Sequence, residues 1–168
     1  RHALNSLTVV APDWLQEWAP LDWYDRYSHR VEQYRLPKSA KKRQMLAQII
    51  GKDGYHLLAM VFADEAPALL REVPAVEILR RVWLQQYWQD DGHVQQREID
   101  NMPAVSQWIQ SPYDIEARYS TKRNTSWLGY RVHLSETCDE NLPRIITQVT
   151  TTAATEQDNE ALDDIQTD

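Results

Sequence analysis

The side chains best equipped for chemistry in this sequence are arginines and lysines, gathered in two stretches that contain no acid. Arg118 to Arg131 holds Arg118, Lys122, Arg123 and Arg131, interleaved with Tyr119, Trp127 and several hydroxyl residues. Cations set among aromatics and hydroxyls suit phosphate contact together with base stacking. Arg118, Lys122, Arg123, Trp127 and Arg131 are therefore the candidate DNA-binding residues, against the plainer reading of a surface loop ahead of a strand. The second stretch, Arg35 to Lys52, holds Arg35, Lys38, Lys41, Lys42, Arg43 and Lys52. Lys41, Lys42 and Arg43 fall in the first turn of a predicted helix, where the macrodipole disfavours cations. A polyanionic partner explains that local cost; so does a solvated helix face that tolerates roughly a few tenths of a kcal/mol.

Catalytic constellations are scarcer. His2, His29, His56, His93 and His133 show no metal-type spacing with one another or with Cys138. Gly51-Lys52-Asp53-Gly54 reads as a turn and not as a phosphate-cradling loop, and no nucleophile-elbow pattern occurs. Asp90-Asp91 and Asp163-Asp164 are adjacent pairs whose side chains diverge on any regular element, as at a helix end and on a solvated face. His133 reads as a structural strand residue, and Cys138, beside acids, as a poor thiolate nucleophile. No catalytic residue and no metal ligand is assigned within the chain.

The elements that must position the basic residues follow from periodicity. Asp22 is placed to cap a helix carrying Trp23, Tyr27 and Val31, with Tyr34 extending the same face. Leu36-Pro37 breaks it. Ser39 then caps a helix with Leu46, Ile49 and Ile50 inward, closed by Gly51 and an Asp53-Gly54 turn, and a third run follows through Leu57, Leu58 and Val61. After Pro67 and Pro74 the stripe Val76, Leu79, Val82, Trp83 and Tyr87 gives the strongest helix signal, which Asp90-Asp91-Gly92 ends. Beyond residue 92 the period changes. His93 to Arg97 reads as a short strand and Pro103 to Ile109 as a helical turn. Trp127 to Glu136 alternates, with Leu128, Tyr130, Val132 and Leu134 on one face, and Arg144 to Thr151 alternates again. These two segments are expected to pair antiparallel across the loop 138–143. The fold class is α+β: a mainly helical region over 1–110, then a β-hairpin and the start of a helix over 111–168.

Composition narrows the function. With 42% apolar and 26% charged residues among 168, the chain can bury a core and is not built like a disordered segment. Seven Trp and eight Tyr against one Phe place most of the aromatic mass on rings with polar handles. The longest apolar run, Leu57 to Ala63, is too short to cross a bilayer, so no membrane partner is expected. A lone cysteine forms no internal disulfide, which points to a reducing cytoplasm. Residues 136–168 carry nine acids and one base, a net of −8, which leaves 1–135 near +1 of the formal −7. Arg1 opens a helical-looking stretch uncapped, and Asn159 to Asp168 reads as a helix begun without a C-cap, so an interior fragment of a longer protein is expected.

One long stretch carries a resemblance. Ser111-Pro-Tyr-Asp-Ile-Glu-Ala-Arg-Tyr-Ser-Thr-Lys-Arg123, running into Ser126-Trp-Leu-Gly-Tyr-Arg-Val-His-Leu-Ser-Glu-Thr-Cys-Asp139, resembles bacterial insertion-sequence transposases with an RNase H-like catalytic domain and an Asp-Asp-Glu metal site. Pro143 to Thr155 with Asp158, Val73 to Tyr87 and Ala11 to Leu15 are similar to the same branch, so the resemblance covers nearly the whole chain. It implies a helical insertion followed by the second and third strands of an incomplete RNase H-like sheet. It also implies that the catalytic acids lie in an Asp-Ser-Thr motif before this segment and an Asp-Ala-Gly-Tyr motif after it, neither of which occurs here. Asp114 and Asp158 match family positions outside that metal-binding set. The intact protein would use Mg²⁺ to cleave phosphodiesters and transfer strands, with transposon ends and target DNA as partners and a homo-oligomer as its working form. The alternatives are a non-catalytic helical nucleic-acid-binding or adaptor module, whose Trp and Tyr anchor stacking or interfaces, and a structural domain whose aromatics are simply core.

Overall fold

A computed structural model describes residues 1–28, 36–139 and 141–162. The chain divides into two compact units, Arg1–Met102 and Pro103–Asp168. The first holds helices α1 (His2–Val10), α2 (Pro12–Trp18), α3 (Asp22–Tyr27), α4 (Ala40–Phe62) and α5 (Pro74–Gln86), then a two-stranded antiparallel hairpin of β1 (Tyr87–Asp90) and β2 (His93–Gln96). The second holds β3 (Arg118–Lys122), β4 (Thr125–Glu136) and β5 (Ile146–Ala153), an antiparallel sheet in that order. Mixed helix and strand, segregated along the chain, is the α+β class expected.

The core of the first unit forms around Leu7, Trp23, Leu57, Val61, Leu70 and Val76. Leu7, Val61, Leu70 and Val76 have no accessible surface. Each such side chain stabilises the fold by about 1.5–3 kcal/mol relative to exposure. Beside this core, the Arg26 guanidinium and the Tyr27 hydroxyl both donate to the Asp53 carboxylate, the latter at 2.5 Å, tying α3 to α4. Burial, reinforced by the hydrogen bond to Asp53, pushes the Tyr27 phenol well above its ordinary value.

The largest departure from the sequence reading is α4. Gly51 and Gly54 do not close a helix there, and the supposed third run is the same helix, continuous from Ala40 to Phe62. The glycines serve close approach. Trp83 lies against Gly54, donating its indole N–H to the Gly51 carbonyl at 2.9 Å, and Tyr87 lies against Gly51, donating to the Ala47 carbonyl at 3.0 Å. The two rings stack on each other with centroids 5.4 Å apart. A residue without Cβ costs helix propensity of about 1 kcal/mol, and here the seating of two aromatics offsets it.

Two boundaries also differ. Ser39 does occupy the N-cap of α4, but α3 is capped at Leu21, so Asp22 is its first helical residue and pairs with Arg26 at 2.6 Å. Val31, Tyr34 and Arg35 lie outside the described residues, as do the Asp163-Asp164 pair and the end of the last predicted helix. The α5 helix stops at Gln86, and Asp90-Asp91-Gly92 turns a hairpin instead of ending a helix. Asp91 and Gly92 sit at φ 43° and 77°, between paired Asp90 and His93, as a two-residue turn of the primed kind requires. His93–Gln96 is the short strand expected, and Val105–Gln107 is a single turn of 3₁₀ helix within the predicted helical turn.

A Cβ on Gly54 would overlap the Trp83 indole. Gly54→Ala should therefore destabilise the chain by about 1–3 kcal/mol through overpacking, where the same change in an open helix stabilises. Urea unfolding measures it; a raised midpoint would contradict the close approach.

Candidate nucleic-acid interface

The sheet of the second unit is built on β4, which pairs with β3 along one edge and β5 along the other. The expected antiparallel pairing is present, with Leu134 opposite Val149 and Val132 opposite Thr151. Two features were not expected. The basic stretch 118–122, read as a loop, is itself a strand, and β4 begins at Thr125. Polar β-branched and hydroxyl residues in 118–126 pair because a two-residue loop, Arg123-Asn124, returns the chain directly, with Arg123 at φ 56°.

Alternation sorts the strand residues between two faces. Arg118, Ser120 and Lys122 from β3 stand on the same face as Trp127, Arg131 and His133 from β4 and Thr150 and Thr152 from β5. Leu128, Tyr130, Val132 and Leu134 share the opposite face as predicted, but that face is the exposed one: Val132 and Leu134 keep 61% and 59% of their surface. The side chains of the mixed face are the more covered along β4.

Four of the five predicted DNA-binding residues thus come together on one face, and Arg123 sits exposed at the tip of the β3–β4 turn. Their engagements differ. Arg118 donates to the carbonyls of Ile115 and Ala117, at 2.5 and 3.1 Å. Arg131 lies 5.9 Å from the centroid of the Trp127 ring and donates through Nε to the Ala154 carbonyl at 3.0 Å. Trp127 donates its own indole N–H to the Tyr130 carbonyl. His133 is bonded through Nε2 to the Thr152 hydroxyl at 3.0 Å.

The residue that sequence reading did not join to this set is Asp158. Its carboxylate receives Lys122 Nζ at 3.0 Å and Arg131 Nη1 at 3.2 Å. The Lys122 hydrogen bond, with the charges of Lys122, Arg131 and His133, holds the Asp158 carboxyl below its usual value. Separations of 36 and 27 residues leave no local signal for such a contact. Asp114 stands just ahead of β3, accepting the Ala117 N–H at 3.0 Å and the Tyr130 hydroxyl at 2.7 Å. The Tyr130 bond is the main cause of its lowered pKa. Both carboxylates are thus engaged by donors, and among the described residues no group of three or more His, Cys, Asp or Glu is placed to hold a metal. Cys138 is exposed.

The competing strip on α4 is less assembled. Arg43 turns back onto the carbonyls of Pro37 and Lys38, at 3.1 and 2.7 Å, which accounts for one cation in that first turn without any polyanion. Lys38, Lys41 and Lys42 are exposed, and Lys52 borders an open polar groove of about 620 Å³ with Gln44, Gln48 and Arg97.

No family model matches the chain, and neither the curated proteins nor the solved structures contain a significant match to it.

Because Asp114 is more acidic when folded, its tie to Tyr130 stabilises the unit above the ordinary carboxylate range and is lost as pH falls through the lowered pKa. Tyr130→Phe should move the Asp114 midpoint back up toward 3.8 in a carboxyl-carbon NMR titration. An unmoved midpoint would assign the shift to the backbone donors.

Proposed function

We propose that this chain is an interior segment of an insertion-sequence DNA transposase of the RNase H-like Asp-Asp-Glu superfamily, acting in the cytoplasm, and that it contributes DNA-backbone contact. The resemblance over 111–139 supports the transposase, and a three-stranded antiparallel sheet over 118–153, which shares two of its strands with that stretch, is compatible with part of an RNase H-like core. The observation that carries DNA contact is the gathering of Lys122, Arg131 and Trp127 on one sheet face, with Arg123 at its tip. In this reading the acids that hold Mg²⁺ belong to parts of the parent protein beyond this segment. The chain by itself then neither cleaves nor joins DNA in Mg²⁺. No helix among the described residues is long and apolar enough to cross a membrane.

A second reading, the non-catalytic adaptor, draws support from the exposed apolar face of β4 and β5, where Leu128, Val132, Leu134 and Val149 lie open. Such a face suits a partner surface better than a nucleic acid.

Fluorescence anisotropy with a short duplex at low ionic strength separates the two. If Arg118, Lys122, Arg123 and Arg131 all neutralise phosphates, log affinity falls with log salt at a slope of roughly −3.6, from about −0.9 per contact. Replacing Lys122 and Arg123 by Ala should flatten the slope by about 1.8, without altering sequence preference. Replacing Lys41 and Lys42 should leave it unchanged. A slope untouched by the Lys122/Arg123 pair, or no binding at all, rejects this interface.

A further inference from the structure

We propose that Lys122 and Arg131 form a single phosphate-binding subsite for a nucleic-acid phosphodiester, and that the Asp158 carboxylate occupies the phosphate's place until the strand displaces it. The inference rests on the nucleic-acid reading above and names the atoms and the built-in competitor of that interface.

The geometry is convergent. Lys122 on β3 and Arg131 on β4 are not cross-strand partners, since Lys122 faces Thr125 and Arg131 faces Thr152. Yet each reaches a different oxygen of one carboxylate, Lys122 Nζ to Oδ2 and Arg131 Nη1 to Oδ1. A phosphodiester presents two non-bridging oxygens to the same pair of donors, and the guanidinium fork suits them. Arg131 is pre-positioned. Its Nε is held by the Ala154 carbonyl, its guanidinium lies near the Trp127 ring, and its side chain keeps only 18% of its surface. The competitor is held loosely. Asp158 and Lys122 retain 62% and 59% of their side-chain surface, so water and salt screen the contact. A weak internal carboxylate neutralises the fork when no strand is bound and yields to a polyanion that brings further contacts with Arg123.

Asp158→Asn tests this with the same duplex at low ionic strength, beside Glu156→Gln, which removes an equal charge two residues away. Asp158→Asn should bind roughly two- to five-fold more tightly, the range of an exposed ion pair. Glu156→Gln should stay near the wild-type affinity, and the Asp158→Asn gain should vanish in a Lys122→Ala background. Equal gains in both charge variants would show a general field effect and overturn the subsite. So would an unchanged Asp158→Asn affinity in a chain that binds DNA and keeps its circular dichroism. If neither wild type nor Asp158→Asn binds, the nucleic-acid reading itself fails. Inorganic phosphate, compared with chloride at matched ionic strength, identifies the ligand: selective competition assigns the fork to the phosphate group wherever it occurs, and equal competition assigns it to the polymer.

Discussion

Pairing of β4 on both edges is the constraint on which the second unit depends. Its first five residues, Thr125–Gly129, pair with β3 and the remaining seven, Tyr130–Glu136, pair with β5, so its period of two is imposed on both partners. A one-residue slip would carry Arg131 and Trp127 to the face of Val132 and Leu134. Burial of an apolar face normally prevents such a slip, but here that face is open. The register is held instead by specific ties: the two-residue Arg123-Asn124 loop, the Tyr130–Asp114 bond, and Arg131 anchored to the Ala154 carbonyl. Arg131 thus serves both the register and the charge of its face.

The first unit follows a different logic. Its α4 helix accepts two glycines in mid-course so that Trp83 and Tyr87 can lie against its backbone, and the α3 pair Arg26 and Tyr27 clamps the same stretch through Asp53. Polar aromatics make this possible. A Phe at either position would fill the space but leave the carbonyls of Gly51 and Ala47 without the side-chain donors they have here. The abundance of Trp and Tyr over Phe therefore has a structural use in this unit, without any stacking on bases.

Local chemistry was readable and distant chemistry was not. The Ser39 cap position, the α5 stripe as far as Trp83 and the pairing of β4 with β5 each follow from signals within a few residues, and each is present, whereas α3 already ends at Tyr27, well ahead of the Leu36-Pro37 break expected to stop it. Gly51 and Gly54 misled because a glycine that ends a helix and a glycine that admits a ring look alike until Trp83, some thirty residues later, is in place. Asp91-Gly92 carried a hairpin signal that the helical run before it obscured. The strand character of 118–122 depends on β4 as a partner, since Ser, Thr and Lys have little alternation of their own. Of the candidate site, Lys122, Arg123, Trp127 and Arg131 were legible from composition. Asp158, which balances two of them, became visible only through the fold.

In the proposed function the mixed face of β3 and β4, and not the apolar one, meets nucleic acid. Side-chain NMR addresses it directly, because neighbouring residues on β4 report on opposite faces. Adding a short duplex at low salt to the ¹⁵N,¹³C-labelled chain should shift the Trp127 indole N–H and the Arg131 Nε–H most, leaving the methyls of Leu128, Val132 and Leu134 in place. Shifts confined to those methyls or to the lysines of α4, with Trp127 and Arg131 unmoved, would contradict it.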